Sequence, residues 1–166
     1  MAEAERLANQ GREVITSVNT SAADIAAVQE LWREYWRSLG LSLDFQNFGE
    51  ELRMLPGKYV PPAGCLLLTR IDGEPAATAA FRPLRQDACE AKRLYVRPAY
   101  RRRGVAGSLL AALVEEARRA GYRNLYGDTL TSMASVLDLY RNLGFAEVGP
   151  YSDNPTPDAI YLHLSL

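Results

Sequence analysis

The chain has 166 residues, 48% of them apolar and 23% charged, with a formal net charge of −1. That length holds one domain with a real core and leaves little room for a second. The composition excludes a disordered chain, and the balanced charge argues against a nucleic-acid partner.

Residues 1–11 are polar and Ala-rich and are expected to form a disordered tail, with one domain over 12–166. Glu13 to Val18 alternates with Val and Ile and predicts a first strand. Ser21 or Asp24 can cap the helix that follows. Its apolar face is Ile25, Val28, Leu31, Trp32, Tyr35 and Leu39, and Gly40 stops it. A short second helix is predicted over Phe48 to Leu55, then a loop at Pro61-Pro62-Ala63-Gly64. Cys65 to Ile71 and Ala76 to Leu84 read as a hairpin around Asp72-Gly73, and Cys89 to Val96 as the next strand. A long amphipathic helix is predicted over Gly104 to Ala120. After it come a strand at Asn124 to Asp128, a helix over Ser132 to Asn142, and two strands at Phe145 to Val148 and Ala159 to Leu164. No apolar run reaches membrane-spanning length and no signal-peptide core opens the chain, so no membrane partner and a cytoplasmic address are expected. Cys65 and Cys89 lie in apolar runs without metal-ligand spacing, so they read as buried thiols with no metal site.

The most informative stretch runs from Leu94 to Leu110, a strand, a Pro98 turn, a basic loop and a helix start. The first N–H groups of a helix are unpaired and carry about half a positive charge, which suits phosphate. Gly104, Ala106 and Gly107 let an anion approach the main chain, and Arg101, Arg102 and Arg103 add cationic donors. The nucleotide-hydrolase loop is excluded because no Gly-Lys-Ser/Thr occurs, and Gly104-Val105-Ala106-Gly107 lacks the dinucleotide fingerprint.

What remains is Arg/Gln-x-x-Gly-x-Gly/Ala, matched by Arg101 to Ala106, and here the chain resembles the GNAT superfamily of acetyl-CoA-dependent N-acetyltransferases. The resemblance covers residue 12 to the end and is strongest from Cys89 to Phe145. It implies an α/β fold with a central, mixed, mostly antiparallel twisted sheet of about seven strands and four helices. It also implies acetyl-CoA as cosubstrate and a small-molecule or peptide amine as acceptor, and it leaves room for a homodimer. By the same resemblance the cofactor lies on Leu94, Tyr95 and Val96 and on the turn Arg101, Arg102, Arg103, Gly104, Val105, Ala106, Gly107 and Ser108. The Leu94 N–H is then the donor to the thioester carbonyl.

Leu139-Tyr140-Arg141-Asn142-Leu143-Gly144-Phe145 matches the family's Leu-Tyr-x-x-x-Gly-Phe, whose Tyr acts as general acid toward the leaving thiolate. A phenol, ionising near pH ~10, is protonated at neutral pH and suits that role. One departure is Met133, seven residues before Tyr140, where an Asn is common; Thr131, Ser132 or Ser135 could replace its polar contact. Glu90 occupies the place of the catalytic base in the histone-acetyltransferase branch, and regular alternation would put it on one sheet face with Lys92 and Leu94. The alternative is a strand-end Glu paired with Lys92 or an Arg. His163 and Arg93 read as structural. Trp32, Tyr35, Trp36, Phe45, Phe48, Tyr59 and the segment 151–155 are candidates for core or for the acceptor wall. The expected reaction is direct attack of a deprotonated primary amine, with a catalytically silent acyl-CoA sensor as the rival that turnover would exclude.

Overall fold

The computed structural model describes residues 11–40, 47–153 and 156–166. Phe45, Asn154, Pro155 and nearly all of the expected tail lie outside the described residues.

Seven strands form one sheet: β1 (Glu13–Ser17), β2 (Cys65–Ile71), β3 (Glu74–Arg85), β4 (Ala88–Val96), β5 (Asn124–Leu130), β6 (Ala146–Val148) and β7 (Ala159–Ser165). Their order is β1-β2-β3-β4-β5-β7-β6. Among the described residues only β4 and β5 pair in parallel, because the helix between them returns the chain to the same end of the sheet. The four helices are α1 (Ala22–Leu39), α2 (Phe48–Arg53), α3 (Val105–Arg119) and α4 (Ala134–Asn142), with a short 3-10 turn at Pro98–Tyr100.

Local chemistry sets the boundaries. The Ser21 hydroxyl accepts from the Asp24 N–H at 3.2 Å, which caps α1, and Gly40 closes it in the left-handed region. Asp72 and Gly73 both have positive φ, 51° and 86°, as the tight β2–β3 turn requires.

Each face of the sheet has its own core. On one, α3 sets Leu109, Leu110 and Leu113 against Leu67, Ala77, Ala79 and Phe81. The alanines of β3 leave room for that helix to lie close. On the other face α1 and α2 bring an aromatic core, with Trp36 stacked on Phe48 at 4.0 Å and Trp32 edge-on to Tyr59 at 5.4 Å. Arg97, with two nitrogens on Glu34 at 2.8–3.1 Å, ties the end of β4 to α1. Among the described residues no helix is long and apolar enough to cross a membrane.

Burial pushes the thiols of Cys65 and Cys89 up from 9.0 to about 12. Their protonated forms are therefore favoured by folding, so this stability is whole below pH ~9 and is lost as pH rises through ~12. Each thiol should steepen the fall by about 1.4 kcal/mol per pH unit in that window. Urea melts at pH 7, 9 and 10.5 measure it, and a Cys65→Ala/Cys89→Ala double variant should show a shallower alkaline decline.

Candidate active site

The site begins where β4 and β5 separate. They pair from Ala88–Asn124 to Ala91–Gly127 and no further. The cause lies in β4: between Ala80–Lys92 and Thr78–Tyr95 on its other edge, β4 advances three residues while β3 advances two. This bulge is centred on Arg93, whose φ of 60° lies in the left-handed region, disfavoured for a side chain of that size. Strain of this kind persists where its surroundings hold it, and here the guanidinium lies 4.9 Å from the Trp36 ring and 5.2 Å from Phe48. One nitrogen meets Glu51 at 2.6 Å, while the buried Nε has no hydrogen-bond partner among the described residues.

The bulge overturns the expected alternation. Cys89 and Ala91 face α3, as do Leu94 and Val96. Lys92 and Arg93 both turn toward α1, followed by Tyr95. Glu90 and Leu94 therefore point to opposite faces, because the extra residue reverses the period of two.

A cleft opens in the gap and reaches both faces. Ala91, Leu94, Met133, Val136 and Tyr140 line it toward α4, and Tyr35, Trp36, Lys92, Arg93 and Asp128 line it toward α1. The aromatic candidates are thus divided. Trp32, Phe48 and Tyr59 are core at 0–1% exposure, while Tyr35 and Trp36 form a wall of the cleft.

Tyr140 is carried inward by α4, its ring edge-on to Phe145 at 4.9 Å. That ring lies over Gly127 of β5, where a Cβ would be 3.5 Å from it, at ordinary contact distance. Burial, with the fields of Tyr35, Asp128 and Glu90, pushes the Tyr140 hydroxyl up, so it stays protonated well beyond neutrality. Met133, the N-cap residue of α4, lines the cleft and makes no side-chain cap, whereas Thr131, Ser132 and Ser135 are exposed.

Glu90 is 2% exposed and does not line the cleft. Its carboxylate holds Lys92 Nζ at 2.8 Å and Arg82 at 3.4 Å, and Lys92 also reaches Asp128 at 3.4 Å. Tyr151, packed on Tyr126 and Tyr161, has its hydroxyl pushed up by burial and by the charge of Glu90. His163 lies with Nε2 2.8 Å from the Asn124 amide oxygen and its ring on Tyr126.

The turn expected to hold phosphate leads from the end of β4 into α3. The first bond within α3 is Ser108 N–H to the Gly104 carbonyl at 3.1 Å. The N–H groups of Val105, Ala106 and Gly107 thus precede the ladder. Gly104 enters α3 with φ 76° and nothing within 4 Å of where a Cβ would be. Arg102 and Arg103 are exposed beside it, while Arg101 donates to the Val96 carbonyl at 3.0 Å. The Ser108 hydroxyl also turns to Gly104, at 3.2 Å, so its part is to shape the turn. Open N–H groups, a turn with glycines at 104 and 107 and adjacent cations fit a pyrophosphate, and the parted strands fit an extended thiol arm.

Sequence reasoning missed Asp128 and Glu51. Asp128 belongs to no motif; its signal is position alone, one residue past the glycine at which the strands part.

A sheet opened between parallel strands, beside a helix start with open N–H groups, is the arrangement expected of an acyl-CoA-dependent transferase, and the likeness to known proteins agrees. The acetyltransferase (GNAT) family model matches residues 25–145. An uncharacterised N-acetyltransferase of Schizosaccharomyces pombe is 33% identical over 145 residues, spanning 86% of this chain and 89% of its own. Another, YjgM of Escherichia coli, is 27% identical over 130 residues, 75% of this chain and 78% of its own. Among solved structures, an acetyltransferase from Streptococcus agalactiae superposes with a TM-score of 0.77 at 15% identity, covering 93% and 98% of the two chains. The Salmonella typhimurium protein yncA, solved with its cofactor acetyl-CoA, gives 0.71 at 21% identity over 92% and 93%. The chain belongs to the GNAT family, as an acetyltransferase that draws its acetyl group from acetyl-CoA.

Proposed function

We propose that this enzyme transfers the acetyl group to a primary amine by direct attack, without a covalent acyl-enzyme. The observation that carries this is the cleft through the sheet, with Tyr140 and Leu94 toward α4 and the Tyr35–Trp36 wall toward α1. Two substrates entering from opposite faces can meet in that gap. The pyrophosphate of the cosubstrate is assigned to the Gly104–Ser108 turn with Arg102 and Arg103, and its thiol arm to the backbone of Leu94 to Val96. The amine nitrogen attacks the thioester carbonyl while the Leu94 N–H donates to the carbonyl oxygen. Tyr140 gives its proton to the departing sulfur. Glu90, behind Lys92, has at most an indirect part in accepting the amine's proton. Cys89 supports direct attack by its unsuitability as nucleophile: it is fully buried, outside the cleft lining, and its thiol is pushed up to about 12. Its burial, like that of Cys65, suits the reducing cytosol assigned to it.

The test is a panel of amines (amino acids, peptide N-termini, lysine side chains and polyamines) incubated with acetyl-CoA, with release of free thiol followed. Saturable thiol release with one class is the expected result. Tight CoA binding with no release from any amine would leave a silent acyl-CoA sensor.

A further inference from the structure

Six charged side chains run in one chain of alternating sign. Arg93 meets Glu51 at 2.6 Å, Glu51 meets Arg82 at 3.7 Å, and Arg82 meets Glu90 at 3.4 Å. Glu90 holds Lys92 at 2.8 Å, and Lys92 reaches Asp128 at 3.4 Å. Three cations and three carboxylates leave the chain neutral, so it offers a polycationic acceptor no excess charge. What it leaves unmet is a hydrogen-bonding group, on Arg93.

Arg93 lines the cleft beside Tyr35 and Trp36, at one end of this chain. Lys92, also in the lining, is shared between two carboxylates. A guanidinium carries five N–H donors in a planar fork. Glu51 meets one nitrogen of Arg93, and the buried Nε has no hydrogen-bond partner among the described residues. The rings of Trp36, Phe48 and Trp32 lie 4.9, 5.2 and 5.7 Å away; they attract the cation but offer its N–H groups no oxygen. A φ of 60° suits glycine or asparagine, yet this place carries a long cationic side chain braced into the wall of the site. Local rules broken in this way gather where a protein meets its ligand.

On the reading that the acceptor is an amine, we propose that it also carries a carboxylate, as an amino acid does, and that Arg93 binds that group. A carboxylate matches the donor fork of a guanidinium in plane and in charge. An amino acid is a zwitterion at neutral pH, so it adds no net charge to a site whose own charges already cancel. Tyr35, Trp36 and Leu39 in the same lining suit an apolar side chain on it. Arg93 directly precedes Leu94, whose N–H is assigned to the thioester carbonyl. The group that orients the acceptor and the group that polarises the donor are then neighbours on β4.

The experiment measures kcat/KM for the amino acids of the panel, phenylalanine and leucine among them, each against its own carboxamide. Wild type, Arg93→Lys and Arg93→Gln are compared. The ratio of acid to amide within one enzyme cancels any general loss of activity or stability. The amine of the carboxamide is the less basic and the more often free, so chemistry alone favours the amide. Wild type should instead prefer an acid about tenfold or more, the effect of a charge-assisted hydrogen bond. Arg93→Gln should bring that ratio to about threefold or less, Arg93→Lys should keep part of it, and acetyl-CoA affinity should stay within about threefold in both. If Arg93→Gln does not fold, the wild-type ratio and the Lys variant still decide. A wild-type enzyme that treats acids and amides alike, or acetylates only amines without a carboxylate, overturns the assignment while amine acetylation stands. So does an Arg93→Gln enzyme that keeps the wild-type ratio. A wild-type enzyme that holds acetyl-CoA but acetylates no amine overturns both.

Discussion

Tyr140→Phe should lower the rate of the acetyl-transfer step about 10²-fold or more while acetyl-CoA affinity stays within about threefold. Phenylalanine keeps the edge-on contact with Phe145 and the seat against Gly127, so the change is confined to one hydroxyl. Burial keeps that hydroxyl protonated far into the alkaline range, so the acid form persists wherever the amine is free. Single-turnover kinetics with the acceptor from the panel separate the chemical step from product release. A change under threefold would leave Tyr140 as a packing residue.

Gly104→Glu should weaken CoA binding about a hundredfold. Charge-assisted hydrogen bonds contribute about 1.5–3 kcal/mol each and 1.4 kcal/mol is about tenfold in affinity, so losing one or two of them suffices. A carboxylate would stand in the cradle itself, beside the N–H groups of Val105 to Gly107. The φ of 76° adds strain of about 1–2 kcal/mol for a residue with a side chain, yet nothing lies within 4 Å to clash, so the fold should survive. Gly104→Asn shares the backbone position without the charge, and asparagine tolerates it. Calorimetry should therefore find Asn within about tenfold of wild type and Glu far weaker. Equal affinity of the Glu variant and wild type would remove the cradle from its assigned role.

The elements were legible because their signals are local. Ser21 and Gly40 bracket α1, and the Asp72-Gly73 turn joins β2 to β3. Ends moved where local rules compete: α4 begins at Ala134 rather than Ser132, and β5 runs on to Leu130 because β7 pairs with it to that residue. The turn into α3 was legible for the same reason, as its glycines and arginines form one continuous stretch. The bulge was not. Cys89 to Val96 carries no glycine or proline to mark an extra residue, and the left-handed turn falls on an arginine stabilised by rings more than forty residues away in sequence.

By itself the sequence determined the order of elements, the glycine- and arginine-rich start of α3 and the Tyr140 motif, since spacing along one segment suffices for each. Only the tertiary structure decided which carboxylate lines the cleft. One inserted residue at Arg93 reverses which side of β4 each later side chain faces, while β4–β5 pairing ends at Gly127, one residue before Asp128. Glu90 is shielded by Lys92, a neighbour two residues away whose direction no periodicity could state once the strand had bulged. The division of the aromatic residues was decided in the same way. Trp32 and Trp36 share one helical stripe, but the first is fully buried against Phe48 and Tyr59, and of the two only the second lines the gap between the strands.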